Sequence, residues 1–180
     1  MRQFHPPRVG SLVGWLALCW GVLGVVVILV DALWRLSGYA WAAVRGGEMG
    51  GWHWLVWVLW VVANAYMEGY RGFQRSFSPM VVERGFLLAQ GGRWWQVLLA
   101  PAVCMALLSA RRKRLIVSWV IVGLVVGLVI TIRQIAQPWR GIVDAGVVVG
   151  LGWGTLSVVV FFVRALLGHA IPSREGNDVI

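Results

Sequence analysis

An all-α, polytopic transmembrane bundle of about five spans is the fold class this sequence predicts, and three observations predict it. Of 180 residues, 59% are hydrophobic and only 13% charged, outside the range of a soluble domain. The mean hydropathy is +0.77. The apolar residues also gather into runs near the roughly 20 residues that a helix needs to cross a bilayer core. On that ruler spans fall near 11–35, 52–70, 94–110, 115–133 and 141–166, with an interfacial segment at 71–93, all within one integral membrane domain covering 1–180.

The first span contains an unbroken apolar run at 11–30, longer than a signal-peptide core and not followed by a small-x-small cleavage pattern. It is read as a retained span. Cys19 and Cys104 both fall inside expected spans, where neither oxidation nor metal capture is favoured, so neither a disulfide framework nor a zinc site is expected.

The second span is the most informative. His53, Trp57, Trp60, Asn64, Glu68, Arg71 and Arg75 follow one another at gaps of three or four, so on an α-helix they form one stripe that lipid cannot satisfy. Tyr66, Tyr70, Phe73 and Phe77 repeat at the same gaps about 200° away around the helix. One face is aromatic and the other ionic, a combination suited to the headgroup zone.

Beyond the core, Ser78 precedes Pro79, and a residue before proline avoids helical angles. The second helix is therefore expected to stop there, after about 27 residues or ~40 Å. Ser78 would cap a short interfacial helix that starts at Pro79, carries Glu83 and Arg84, and ends at Gly91 and Gly92.

Arg111, Arg112, Lys113 and Arg114 separate the third and fourth runs by so little that they predict a tight turn, cytoplasmic by the positive-inside rule. Counting outward from it puts the tail from His169 to Ile180 in the cytoplasm; counting backward puts the amino terminus outside. The cations then divide evenly between the two sides. Either the arginines after the second span serve function rather than topology, or residues 70–93 re-enter the membrane; the first is preferred.

In the fifth span Gly146, Gly150 and Gly154 recur every four residues, and the fourth holds Gly123 and Gly127. Small residues at this spacing let helix backbones approach closely, so the fourth and fifth helices are expected to cross through these faces, with self-association through Gly146, Gly150 and Gly154 as the other use. Trp34, Trp41, Trp52, Trp54, Trp94, Trp95 and Trp139 fall near span ends as an aromatic belt.

Charge narrows the partners. Lys and Arg number sixteen, fifteen of them arginine, against seven Asp and Glu, a formal +9. These cations sit at span ends, where anionic lipid headgroups are nearest, and no continuous basic face for nucleic acid appears. Composition leans towards a bacterial inner membrane.

The candidate binding constellation is Asn64, Glu68, Arg71, Arg75, Glu83, Arg84, Arg140 and Asp144, with His53, Trp57 and Trp60 as lining residues. Carboxylates within a bilayer must pair or face water, so the second helix is expected to reach the fifth through Glu68 with Arg140 or Arg71 with Asp144. Such a network could simply fix helix register, or grip an anion through the planar arginine fork. No second histidine faces His53, so haem or other metal ligation lacks support and no cofactor is expected. No nucleophile elbow, zincin, Walker or dinucleotide motif is present.

The expectation is a non-catalytic membrane subunit or scaffold that binds a partner protein or anionic lipid through residues 64–93. The alternatives are a small carrier or channel component with a polar path along Asn64, Glu68 and Asp144, and a lipid-phosphate-modifying enzyme.

Overall fold

The computed structural model describes residues 2–47 and 49–173. A three-residue strand, β1 (Arg2–Phe4), precedes the first long helix, α1 (Leu12–Arg45). Ser11 starts that helix: its side-chain oxygen accepts from Gly14 N at 3.0 Å, satisfying a donor that the first turn leaves orphaned. Gly14, Ala17, Leu18, Gly21, Val22, Val25 and Leu29 are buried at the three-and-four spacing of one helical face, and Ala43 is buried near the end of the helix. The helix runs a further ten residues past the expected end, to about 50 Å.

The second helical stretch does not break where Ser78 meets Pro79. It runs as α2 (Gly51–Asn64), a π-helical segment (Ala65–Phe77) and α3 (Ser78–Gly91), with no non-helical residue at either junction. Ser78 itself is helical, at φ −63 and ψ −45, and its N–H bonds to Phe73 O, five residues back. Its hydroxyl donates to Gly154 O at 3.5 Å instead of capping. The proline is accommodated because the widened i→i−5 register precedes it, moving the preceding carbonyls off the positions that a proline ring obstructs in a regular helix. The helix does end at Gly91, and Gly92 is extended.

Residues 94–110 do not form the expected third span. They make two five-residue helices, α4 (Trp94–Leu98) and α5 (Ala100–Cys104), broken at Leu99 and followed by turns. Ala106 and Ser109 have left-handed φ values of 57 and 55, unusual for side chains with a Cβ. What makes this backbone tenable is a set of donors from three different helices. Trp20 Nε1 reaches Leu98 O, Arg84 Nη1 reaches Val103 O and Ser109 O, and Trp119 Nε1 reaches Leu107 O. Irregular backbone in an apolar setting persists only where protein supplies such partners.

The chain then forms α6 (Arg112–Ile132) and α7 (Trp139–Leu166) and ends in strand β2 (Ile171–Ser173). Three helices, α1, α6 and α7, are long and apolar enough to cross a membrane. α7 packs along α1 in the opposite direction: Gly141 lies against Ala43 and Tyr39, Gly152 against Leu33. α2 and the π segment run beside α7 in the same direction, with Trp60 near Gly146 and Phe73 near Gly154. The main core forms where Leu18, Val22, Val25 and Leu29 of α1 meet Val81, Val82 and Phe86 of α3, Cys104, and Val158, Phe161, Phe162 and Ala165 of α7. Both cysteines are free. Burial pushes the Cys104 thiol up to about 12, against the pull of the Arg84 charge.

β1 pairs antiparallel with β2, Arg2 opposite Ser173 and Phe4 opposite Ile171, and the Phe4 ring lies 6.4 Å from that of Phe86. Both ends of the described chain therefore lie at one end of the bundle, which corrects the expected placement of the amino terminus opposite the tail. An odd number of crossings cannot produce this pairing. Arg8, Arg84, Arg93, Arg111, Arg112, Lys113, Arg114 and Arg164 lie towards this end and Arg35, Arg45, Arg133 and Arg140 towards the other, with Arg71 and Arg75 between them. The expected tail from His169 to Ile180 lies partly outside the described residues.

Candidate functional site

The glycine row of α7 receives the polar row of the second helical stretch rather than α6. A Cβ at Gly146 would lie 2.5 Å from Trp60 Nε1 and 2.8 Å from Asn64 Nδ2; one at Gly150 would lie 2.6 Å from Glu68 Oε2. At Gly154 it would strike the Phe73 ring, and on the opposite side a Cβ at Gly69 would lie 2.9 Å from Trp153 Cβ. Close approach through missing side chains is the mechanism that the spacing implied. The partner differs: Gly123 and Gly127 of α6 have nothing within 4 Å. The row on α7 is thus occupied within the chain.

Side-chain bonds fasten this seam. Trp60 Nε1 donates to Val143 O at 3.3 Å and Trp153 Nε1 to Gln74 Oε1 at 2.7 Å, while Asn64 Nδ2 bonds back within α2 to Trp60 O at 2.9 Å. Glu68 is half-buried against Gly150, and among the described residues no donor or cation reaches its carboxylate.

The expected pairs Glu68 with Arg140 and Arg71 with Asp144 do not form. Asp144 is 2% exposed and pairs with Arg140 one turn earlier on the same helix, Nε to Oδ2 3.7 Å. The Arg140 guanidinium lies 3.7 Å from the centre of the Tyr39 ring, a cation–π contact onto α1. Six residues, roughly 9 Å of helix, separate Asp144 from the Gly150 level where Glu68 sits.

The arginines of the row part company with Asn64 and Glu68. In the π register each turn takes in more residues than in an α-helix, so positions aligned at 3.6-residue spacing rotate apart. Arg71 and Arg75 are exposed; Arg75 sits 4.8 Å from the Tyr70 ring centre, five residues back. Of the aromatic face, Phe73 and Phe77 turn inward onto the core while Tyr66 stays exposed.

Glu83 and Arg84 are interior, 3% and 1% exposed, which corrects their reading as part of an interfacial helix. Glu83 Oε1 accepts from Ser173 Oγ at 2.8 Å, tying α3 to β2, while Arg84 holds the turns after α5. His53 Nδ1 accepts from Gly50 N at 3.2 Å and its ring meets that of Trp139 at 5.2 Å. These contacts fasten the start of α2. Trp57 stands edge-on to Trp54 at 5.8 Å and, with Trp34 and Trp41, lines an apolar recess of about 700 Å³ between α1, α2 and α7. Among the described residues no three His, Cys, Asp or Glu side chains converge to hold a metal.

A second recess, about 600 Å³, separates the π segment from α6. Arg71, Phe77 and Met80 form one side, Met105 and Leu107 the floor, and Lys113, Arg114, Val117 and Ile121 the other side. Lys113 and Arg114 read from sequence only as a topological turn. The signal that could have joined them to Arg71 is Pro101, which argues that 94–110 folds back instead of crossing.

The arrangement defines a helical protein with three helices fit to cross a membrane and an ionisable row divided between a glycine seam and an exposed cationic face. The chain matches no family model, no curated protein and no solved structure.

Proposed function

We propose that this protein is a non-catalytic integral membrane subunit that binds an anionic partner, lipid or protein, through the exposed face of its π segment. The observation that carries this reading is the exposure of Arg71 and Arg75 with no acidic partner among the described residues, while Glu83 and Arg84 are interior. Arginine left facing outward from an apolar bundle is suited to phosphate or carboxylate, which its fork grips through two hydrogen bonds. In this reading the chain crosses four times, through α1, the α2–π–α3 rod, α6 and α7. Support comes from the paired end strands, which an even count brings to one side, and from the crowd of cations at that end, which favours the cytoplasmic side.

Charge reversal of both residues, Arg71→Glu with Arg75→Glu, is expected to weaken retention of acidic lipid or partner by roughly tenfold or more, with helix content and membrane insertion unchanged. Copurification in mild detergent, read by mass spectrometry, measures it. Full retention by the double variant overturns the proposal.

A second reading, a carrier or channel component, draws on one observation: the unpartnered Glu68 carboxylate in the seam, costly at membrane depth unless used. It predicts proton or solute flux in liposomes that Glu68→Gln abolishes. Sealed liposomes that stay tight with the unaltered protein remove it.

A further inference from the structure

We propose that the recess between the π segment and α6 holds one acidic phospholipid, its phosphate taken by Arg71 and Lys113 and its acyl chain by the apolar walls. This rests on the reading of the π segment as an anion-binding face and specifies the ligand.

Three observations favour a lipid there. First, Arg71, Lys113 and Arg114 line the recess and no acidic residue does. Arg71 and Lys113 have no ion-pair partner among the described residues. Like charges facing one another across a recess repel, and an anion between them relieves that repulsion. Second, the walls that continue from these cations are Phe77, Met80, Val117 and Ile121. An inorganic anion gains nothing from such walls; a hydrocarbon chain fits them. One wall belongs to α6, which is almost wholly exposed and has a mean hydropathy of 2.9 over its best window, so the recess opens where acyl chains would lie. Third, the polar groups along the walls are the hydroxyls of Ser76 and Ser118. An inserted peptide would need partners for each of its backbone N–H and C=O groups, and two hydroxyls cannot supply them. A lipid tail needs none. The volume, about 600 Å³, lies in the ordinary range of ligand sites.

The test uses the full chain in mild detergent, stripped of lipid by exchange and then offered phosphatidylglycerol or phosphatidylcholine, with bound lipid counted by native mass spectrometry. The unaltered protein is expected to keep one phosphatidylglycerol per chain, to keep phosphatidylcholine at least about tenfold less well, and to hold its lipid against excess inorganic phosphate. Arg71→Glu and Lys113→Glu should each weaken retention roughly tenfold. Ser118→Phe, which fills the recess without changing charge, should do the same, and Val117→Trp is a second filling variant should the first fail to fold. Arg133→Glu, exposed at the far end of α6 and outside the recess, should leave retention unchanged. If Arg71→Glu loses lipid while the filling variants keep it, the recess is wrong and the wider cationic-face reading stands. If every variant keeps both lipid and any copurifying acidic protein, both fall. Equal retention of the two lipids, displacement by phosphate, or loss of a copurifying acidic protein with no change in lipid each overturns the lipid assignment.

Discussion

Arg84→Ala will lower the stability of this protein by roughly 3–5 kcal/mol, the largest single-residue loss expected in the chain. The side chain is 1% exposed and bonds to Val103 O at 3.0 Å and Ser109 O at 3.3 Å. Removing it takes the side-chain donor from Ser109 O, at about 1–3 kcal/mol, leaves Val103 O with only the Ala106 N–H, and opens a cavity the length of an arginine stem. It also releases the stretch around Ala106 and Ser109, whose left-handed backbone persists only while its surroundings dictate it. Arg84→Lys should recover part of the loss, because one ammonium can serve one of the two carbonyls but lacks the fork. Thermal and denaturant unfolding in detergent measure both variants; a loss from Arg84→Ala below about 1 kcal/mol would mean that other donors satisfy those carbonyls.

Gly154→Leu will cost about 3 kcal/mol, at the top of the range for overpacking, whereas Gly123→Leu will stay within roughly 0.5 kcal/mol of neutral. Both glycines lie on apolar helices in small-residue rows of equal spacing. They differ in what they meet: a Cβ at Gly154 drives into the Phe73 ring, and one at Gly123 meets nothing within 4 Å. The ring cannot swing aside, because Phe73 is packed edge-on to Phe77 at 5.3 Å, and the backbone of Gly154 accepts the Ser78 hydroxyl. Unfolding in detergent measures the pair. The reverse ranking, or a loss that depends on protein concentration, would mean that the α6 row is the working contact and joins separate chains.

The helical class and the apolar helices α1, α6 and α7 were legible because hydropathy and length are properties of the segment alone. Residues 94–110 were not, since a window of apolar residues reads the same whether it faces lipid or protein. Pro101 was the available warning. The inward row was half legible: Asn64 and Glu68 meet α7, but Arg71 and Arg75 rotate away because the 3.6-residue ruler does not hold through a π segment. The spacing of Gly146, Gly150 and Gly154 identified close approach without saying to which helix, as spacing carries no information about distant sequence. Three-residue strands such as Arg2–Phe4 leave no periodicity to detect.

The clasp between Arg2–Phe4 and Ile171–Ser173 joins the two most widely separated stretches of the described chain. A nascent polypeptide makes the first of these stretches ahead of α1 and must wait for the second until the helices between them have been synthesised. Closing so long a loop is slow as well as late, so the clasp records that the whole bundle has been threaded in order. A chain cut short before Ile171 would keep its helices yet leave an open strand edge at its leading end, together with a Glu83 carboxylate deprived of the Ser173 hydroxyl.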